Sequence, residues 1–253
     1  MLWFPSSCTH LRVLRWLLFR CPSQARPQAG TAPSPSLLPP PPATSRHEGI
    51  VKLRFQGKRI AFCITGAYHK VPAVIDLAAQ CHSAGAEVTV IVSPATLDIE
   101  QAQQRQGRIA AAVLAACSRA PLTTMSEAER TGPGKLYDLV IVAPCTGNTL
   151  AKLANAITDG PVPMTVKAHL RNQRPVLIAI STNDGLGLNA RNLGALLPVR
   201  NVFFVPFGQD RPQDKPASLD ADLDLLLDAA AEALQGRQLQ PVLVQRTPDG
   251  GKA

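Results

Sequence analysis

The stretch DLVIVAPCTGNTLAKLANAITD, residues 138–159, indicates the fold. It opens with a short, continuous apolar run, which is typical of a strand that is buried on both faces of a sheet. Small polar residues and a glycine follow at 146–149, and a segment rich in Ala and Leu comes next. A buried strand, a polar loop and a helix in direct succession predict an α/β unit.

The same unit recurs along the chain. Further apolar runs predict strands at 59–64, 87–92, 175–180 and 201–205, with a last short strand at 240–244. Between them we predict helices at about 72–84, 99–116, 148–157, 162–170, 189–197 and 219–234, the last capped by Ser218, and an irregular segment at 119–135. Because strands alternate with helices, the pattern predicts a three-layer, Rossmann-like α/β fold with a doubly wound, mostly parallel sheet.

The composition agrees with a single domain of this class. The chain has 253 residues, of which 45% are hydrophobic and only 4% aromatic, so the core must be mainly aliphatic. Six cysteines occur without any CxxC spacing, and four of them fall in apolar segments. This favours free, buried thiols over a zinc site or a disulfide framework, and we predict no metal site.

The first fifty residues differ from the rest. They hold nine of the 23 prolines, and their five arginines against one acid supply half of the net charge of +8. We therefore divide the chain into an extension at 1–50 and an α/β domain at 51–253. We favour an extension that an over-long gene prediction has added, with the true start near Val51. A transit peptide and a weak secretory signal are the alternatives, and in each case we expect disorder.

Two classes of partner are not favoured by the sequence. The apolar run at 11–19 is short and interrupted by Arg12 and Arg15, so it does not predict a membrane span. No basic stripe with interleaved aromatic residues indicates nucleic-acid binding.

Small polar residues follow the first four predicted strands. In open α/β sheets, ligands bind beyond the carboxyl ends of the strands, and hydroxyl groups with helix N-termini hold phosphates there. Each residue taken singly has a simpler interpretation as a turn glycine or a helix cap. Taken together they predict one phosphate-binding edge, formed by Thr65, Gly66, Ala67, Ser93, Pro144, Thr146, Gly147, Asn148, Thr149, Ser181, Thr182 and Asn183.

Two common nucleotide motifs are missing at these strand ends. The loop after the first strand lacks GxGxxG, and the chain has no GxxxxGK[ST]. An ordinary dinucleotide-binding domain and a P-loop fold are therefore not favoured.

The quoted stretch also resembles a known motif. From Pro144 to Asp159 it is similar to the "PASANT-x-A-K-x-A-N-G-x-x-D" segment of the homo-oligomeric flavin-containing cysteine decarboxylase superfamily. The shared positions are Pro144, Asn148, Thr149, Ala151, Lys152, Ala154, Asn155 and Asp159. The resemblance implies the flavoprotein fold, with this segment against bound FMN, and a homo-oligomer.

Within that superfamily the chain most resembles the family formed by the B subunits of dipicolinate synthases. The resemblance runs from about Gly57 to Val244 and includes STND at 181–184 and PFGQD at 206–210. It implies a protein that acts with an NAD(P)-binding A subunit to oxidise a dihydrodipicolinate-type precursor to dipicolinate during sporulation. It also implies the cytoplasm of the mother cell of a spore-forming bacterium.

The implied chemistry suggests further site residues. Removal of a hydride and a proton from a dicarboxylate needs an acid or base, for which His69 and Asp184 are candidates at the strand ends. Arg171, Arg174 and Arg191 are candidates for binding the carboxylates, since a guanidinium can hold a carboxylate with two hydrogen bonds. The alternative for each is an ordinary loop or surface residue.

Two other functions remain open from the sequence. One is a stand-alone FMN-dependent decarboxylase or prenyltransferase-like enzyme. Decarboxylases of the superfamily use a His between strand two and the PASANT segment, whereas here none occurs between His82 and His169. The other is a scaffold that assembles the A subunit without flavin. Ala67 stands where a phosphate-binding Ser often follows the glycine in the family.

Overall fold

A computed structural model describes residues 54–245 of the chain. The predictions for the first fifty residues lie outside these residues. Within the described part, no helix is long and apolar enough to cross a membrane.

Strands and helices alternate along the described chain, as predicted. The elements are β1 (Arg59–Ile64), α1 (Val71–Ser83), β2 (Glu87–Val92), α2 (Pro94–Ala102), α3 (Arg108–Cys117), α4 (Met125–Glu129), β3 (Leu139–Cys145), α5 (Gly147–Ala154), α6 (Pro161–Arg171), β4 (Val176–Thr182), α7 (Ala190–Leu196), β5 (Val202–Phe204), β6 (Phe207–Gly208), β7 (Leu219–Ala221) and α8 (Leu226–Leu234). Single 3₁₀ turns at Tyr68–Lys70 and Leu223–Leu225 precede α1 and α8.

The sheet is mixed but mostly parallel. Its strand order is β2-β1-β3-β4-β7-β6, and β5 pairs with the first half of β4. The strands β2, β1, β3, β4 and β5 run parallel, whereas the last two residues of β4 pair with β7 in the antiparallel direction. The predicted Rossmann-like class is confirmed.

The core lies on both faces of the central strands. Every residue of β3 is buried, and so are Ile60–Ile64 of β1 and Val88–Val92 of β2. Helices cover both faces of such a sheet, which explains why its strands are continuous apolar runs rather than alternating ones. The core is mainly aliphatic, as the low aromatic content predicts.

The predicted helix at 99–116 is wrong in one respect, because the structure has two helices there. The break falls at 103–107, where Gln104 and Gly107 have φ angles of 54° and 81°. Gly107 has no side chain to cap α3. Instead the buried carboxylate of Glu100 accepts a hydrogen bond of 2.7 Å from the N–H of Ile109. The segment at 119–135 is not wholly irregular either, since α4 begins there behind a capping box of Thr124 and Glu127.

The predicted helix at 219–234 is also wrong over its first part. Residues 219–221 form β7, and the α-helix begins only at Leu226. Ser218 is not a helix cap, and its hydroxyl donates to the carbonyl of Thr182 over 3.3 Å. Leu219 and Ala221 are buried while Asp220 between them is not, which is the two-residue period of a strand. Of the predicted strand at 240–244, one isolated bridge between Leu243 and Phe207 is present.

Candidate functional site

The carboxyl ends of the parallel strands meet at one edge of the sheet. The register places Ile64 opposite Val92, and β3 lies between β1 and β4. A cleft of about 370 Å³ opens at this edge, a volume within the usual range for small-molecule sites. Its lining residues are Ala67, His69, Lys70, Thr146, Gly147, Ser181, Thr182, Asn183, Asp210, Lys215, Ser218, Leu219 and Asp220.

Hydroxyl groups join the loops after β1 and β3. The buried hydroxyl of Thr65 donates to the carbonyl of Pro144 over 2.7 Å and accepts from the N–H of Thr146 over 3.1 Å. Both hydrogen bonds fix the end of β1 against the start of α5. Thr65 therefore holds the floor of the cleft, and its hydroxyl is already used.

Thr146 begins the helix that forms one wall. It is the N-cap of α5, and its hydroxyl accepts from the N–H of Thr149 over 3.5 Å and contacts the Thr149 hydroxyl at 3.2 Å. The N–H groups of Gly147 and Asn148 fall in the first turn, where an α-helix offers its N–H groups no partner of its own. Together with the positive end of the helix dipole, these groups favour an anion.

Gly147 lies where the loop after β4 approaches α5 most closely. A Cβ atom at this position would stand 2.6 Å from both the Oγ1 of Thr182 and the Nδ2 of Asn189. These are hydrogen-bonding atoms held by the loop, so a side chain here would displace it. The absence of a side chain at Gly147 lets the start of α5 and the loop after β4 pack closely at the cleft.

Asp184 holds that loop from within. Its carboxylate accepts a hydrogen bond of 2.6 Å from the Thr182 hydroxyl. Each of its oxygens also accepts one of 2.8 Å from the Nδ2 of Asn189. Asn189 in turn accepts from Asn192 over 2.8 Å, at the start of α7. Asp184 lies beside the cleft and is half-buried, and its contacts favour a role in shaping the loop.

The opposite wall contains charged residues that the sequence did not single out. Lys70 follows His69 after β1, and its Nζ donates to the carboxylate of Asp220 on β7. Asp210 and Lys215 also line this wall. The position of Lys70 beside His69 could have indicated it, but Asp220 was assigned to a helix and its place on a strand was missed.

Most of the residues predicted from polar strand ends lie at the cleft or directly behind it, and Ser93 lies further away. Ala67, Thr146, Gly147, Ser181, Thr182 and Asn183 line the cleft, together with His69, which is exposed. Thr65, Pro144, Asn148 and Thr149 lie directly behind or beside these. Gly66 is next to this group, with room for a Cβ atom 3.9 Å from the Thr146 methyl. Ser93 lies one strand further out, where its hydroxyl caps α2 and contacts that of Thr96 at 2.9 Å.

The three arginines predicted to bind carboxylates are not brought to the cleft. Arg174 precedes β4, at the opposite edge of the sheet, and pairs with Asp138 at 3.1 Å. Arg171 ends α6 just before it, so it lies toward the same opposite edge. Arg191 is exposed in the first turn of α7. The prediction rested on side-chain chemistry alone, and the direction of β4 places two of the three at the wrong end.

The cysteines near the cleft are packing residues, as the sequence suggested. Cys145 and Cys63 are fully buried, and burial raises the pKa of both thiols far above the ordinary value. A thiol that stays protonated is a poor nucleophile. Within residues 54–245, no group of three or more His, Cys, Asp or Glu side chains could hold a metal ion.

A larger cavity of about 460 Å³ lies elsewhere, between α1 and α8. Its lining includes Asp76, Asp228 and Leu227, and Arg54 there pairs with Asp228 at 2.6 Å. Three aspartates, Asp76, Asp224 and Asp228, lie on this lining against one arginine, whereas the cleft has two lysines against two aspartates, so an anionic ligand is repelled more strongly here. The cleft at the strand ends is therefore the better candidate.

Comparison with known proteins gives a family and a relative. The flavoprotein family matches residues 50–202. The B subunit of dipicolinate synthase from Bacillus subtilis (strain 168) is 42% identical over 193 residues, which are 75% of this chain and 95% of that protein.

Two solved structures are similar to this chain. The B subunit of dipicolinate synthase from Bacillus halodurans has a TM-score of 0.65 at 37% identity, over 76% of this chain and 99% of that one. DmrB of Burkholderia xenovorans, solved in complex with FMN, has a TM-score of 0.53 at 19% identity, over 70% and 96%. The second likeness concerns the fold alone.

Proposed function

The chain belongs to the flavoprotein family and, within it, to the family of dipicolinate synthase B subunits, and we propose that it is the B subunit of a heteromeric dipicolinate synthase. It would act with an NAD(P)-binding A subunit in the cytoplasm of a sporulating mother cell. The observation that carries the proposal is 42% identity over nearly the whole Bacillus subtilis protein. The cleft at the strand ends supports it as a place for a small anion.

The reaction requires little covalent chemistry from the protein. A dihydrodipicolinate-type ring would lose one hydride to an NAD(P)⁺ held by the A subunit and one proton to a base, and would become aromatic. The protein must hold the dicarboxylate, orient it toward the acceptor and receive the proton. The chain described here would contribute binding and proton transfer.

The residues of the cleft fit the phosphate end of FMN. The first turn of α5 offers N–H groups, and Thr146 and Ser181, which carry hydroxyls, line the cleft. These are the donors that a phosphate needs. When bound, a flavin supplies a hydride acceptor or donor. The chain's part would be to orient its phosphate with α5.

Proton transfer is assigned to His69. It is exposed on the lining, within the loop after β1, and an imidazole nitrogen can accept or donate a hydrogen-bonded proton. Asp184 was the other candidate acid or base from the sequence. We give it a positioning role instead, since three hydrogen bonds already occupy its oxygens.

The test is reconstitution of the enzyme from its two subunits. Co-expressed A subunit and this chain should purify together and form dipicolinate from the dihydro precursor, whereas neither alone should do so at a comparable rate. A chain that neither binds the A subunit nor changes its rate would contradict the proposal.

The same preparation separates the alternatives. Flavin bands in the absorption spectrum, with release of CO₂ in the absence of the A subunit, would support a stand-alone decarboxylase. Activation of the A subunit that persists when the cleft is altered, without flavin bands, would support a scaffold.

A further inference from the structure

We propose that Lys70 binds one carboxylate of the dicarboxylate substrate and that Asp220 holds Lys70 in place for it. The proposal rests on the proposed function, because that function supplies the dianionic ligand. It gives the recognition role that the sequence gave to arginines to a half-buried lysine, Lys70, from the loop after β1.

Cations are few on the cleft. Of its lining side chains, His69, Lys70 and Lys215 can carry positive charge. A dicarboxylate needs at least one such partner, because removing a carboxylate from water without a counter-charge or hydrogen bonds is costly.

Lys70 is the best placed of the three. Its side chain is 15% exposed, whereas Lys215 and His69 are exposed residues. Salt and water screen a partly buried charge less than an exposed one, so the same contact is stronger at Lys70. Its stem runs from the 3₁₀ turn Tyr68–Lys70, which α1 continues directly, so the backbone beneath it is fixed.

Asp220 comes from a different part of the fold. Its strand, β7, pairs with the end of β4, where Asp220 lies opposite Ser181. The side chain of Asp220 is 14% exposed, and its carboxylate accepts from the Lys70 ammonium. The ion pair therefore joins the loop after β1 to the strand beside the loop after β4, and it places the ammonium between two groups of lining residues.

The charges on the lining explain what the pair does. Two lysines, Lys70 and Lys215, face two aspartates, Asp210 and Asp220. Burial alone would raise the pKa of Asp210, but the nearby polar groups of Ser218, Arg211 and Lys215 outweigh it and the pKa is lowered, so this carboxylate is charged. The lysine and aspartate charges on the lining cancel. An anion therefore binds through the ammonium of Lys70, which has three N–H donors and can contact a ligand carboxylate while it still donates to Asp220.

This arrangement predicts opposite effects for the two partners. Lys70→Met removes the cation and should weaken dicarboxylate binding. Asp220→Asn keeps an oxygen that can accept from Lys70 but removes the competing charge, so it should strengthen binding. A pair that only stabilises the fold would give no such difference in sign.

The experiment is calorimetric titration of the purified chain with pyridine-2,6-dicarboxylate, compared with pyridine-2-carboxylate. Lys70→Met should weaken binding of the dicarboxylate by about tenfold or more, as expected for loss of a charged hydrogen bond. The monocarboxylate should be affected much less. Lys70→Arg should recover most of the affinity, and Asp220→Asn should raise it. Lys58→Met, an exposed lysine before β1, is the charge-matched control and should change nothing.

Several results would overturn the proposal. One is a Lys70→Met variant that binds the dicarboxylate as the wild type does. Another is weaker binding of FMN with unchanged binding of the dicarboxylate, which would assign Lys70 to the cofactor. If Lys70→Met does not fold, Asp220→Asn decides, and unchanged or weaker binding refutes the role. A wild-type chain that binds no dicarboxylate, yet activates the A subunit, overturns this inference and leaves the proposed function intact.

Discussion

Gly147 is the residue at which the geometry of the cleft is most sensitive to a single atom. A Cβ atom there would overlap Thr182 and Asn189, which are fixed by the hydrogen bonds of Asp184. The neighbouring loop would have to move away from α5, and the wall of the cleft would move with it.

Gly147→Ala should therefore lower the stability of the chain by about 1–3 kcal/mol, the usual range for overpacking. Gly194 offers a matched control, because an added Cβ there meets nothing within 4 Å and the residue lies inside α7. Gly194→Ala should raise stability by about 0.5–1 kcal/mol, since alanine is the better helix former. Urea denaturation of both variants measures the difference. Equal effects of the same sign would refute the close approach at Gly147.

His169 gives a prediction for pH. It is 5% exposed, its Nε2 has no partner among residues 54–245, and burial lowers its pKa from 6.5 to about 4, with Arg174 adding to the effect. Below pH 6.5 the unfolded chain binds a proton that the folded chain does not. Stability should therefore fall as the pH drops from 6.5 to about 4, by roughly 3 kcal/mol in all.

His169→Gln should remove this part of the pH dependence. Urea denaturation of the variant and the wild type at pH 7 and at pH 4.5 measures it, and the gap between the two proteins should change by a large part of that amount. Parallel losses in both proteins would show that His169 titrates normally.

At the scale of elements, the strands and most helices could be predicted because their signals are local. The strands β1 to β5 were found to within about two residues, since strands buried on both faces are continuous apolar runs. The segment at 219–221 could not be identified, because a three-residue strand depends on pairing with the distant end of β4. Its apolar and acidic residues suit a helix start equally well.

The break between α2 and α3 was missed for a similar reason. The Ala- and Gln-rich segment has high helix propensity except at Gly107, and Glu100 caps α3 only through a contact nine residues away. Glu100→Ala would leave the N–H of Ile109 without its buried acceptor, and should lower stability by about 1–3 kcal/mol. Thr124→Ala, at the exposed cap of α4, should lower it by about 1 kcal/mol or less. Denaturant midpoints rank the two, and a larger effect at Thr124 would contradict this role of Glu100.

At the scale of the whole molecule, the sequence predicted several residues on the lining of the cleft at the strand ends, but not its charged wall. Parallel strands carry their carboxyl ends to one edge whatever the details of the loops, so Thr146, Ser181 and Ala67 could be placed there without coordinates. The charged wall could not, because the Lys70–Asp220 pair joins residues far apart in the chain. Arg174 was chosen for its chemistry without the direction of β4, which places it at the opposite edge of the sheet.

We infer that the cleft at the strand ends is where this chain acts on the reaction. The direct measurement is the rate of dipicolinate formation by the A subunit with no addition, with the wild-type chain, and with Gly147→Ala that still folds and still co-purifies with the A subunit. We predict that the wild type raises the rate and that Gly147→Ala loses most of this increase, by about tenfold or more, as expected when a bound reactant is misplaced. A variant that supports the full wild-type rate would contradict the account.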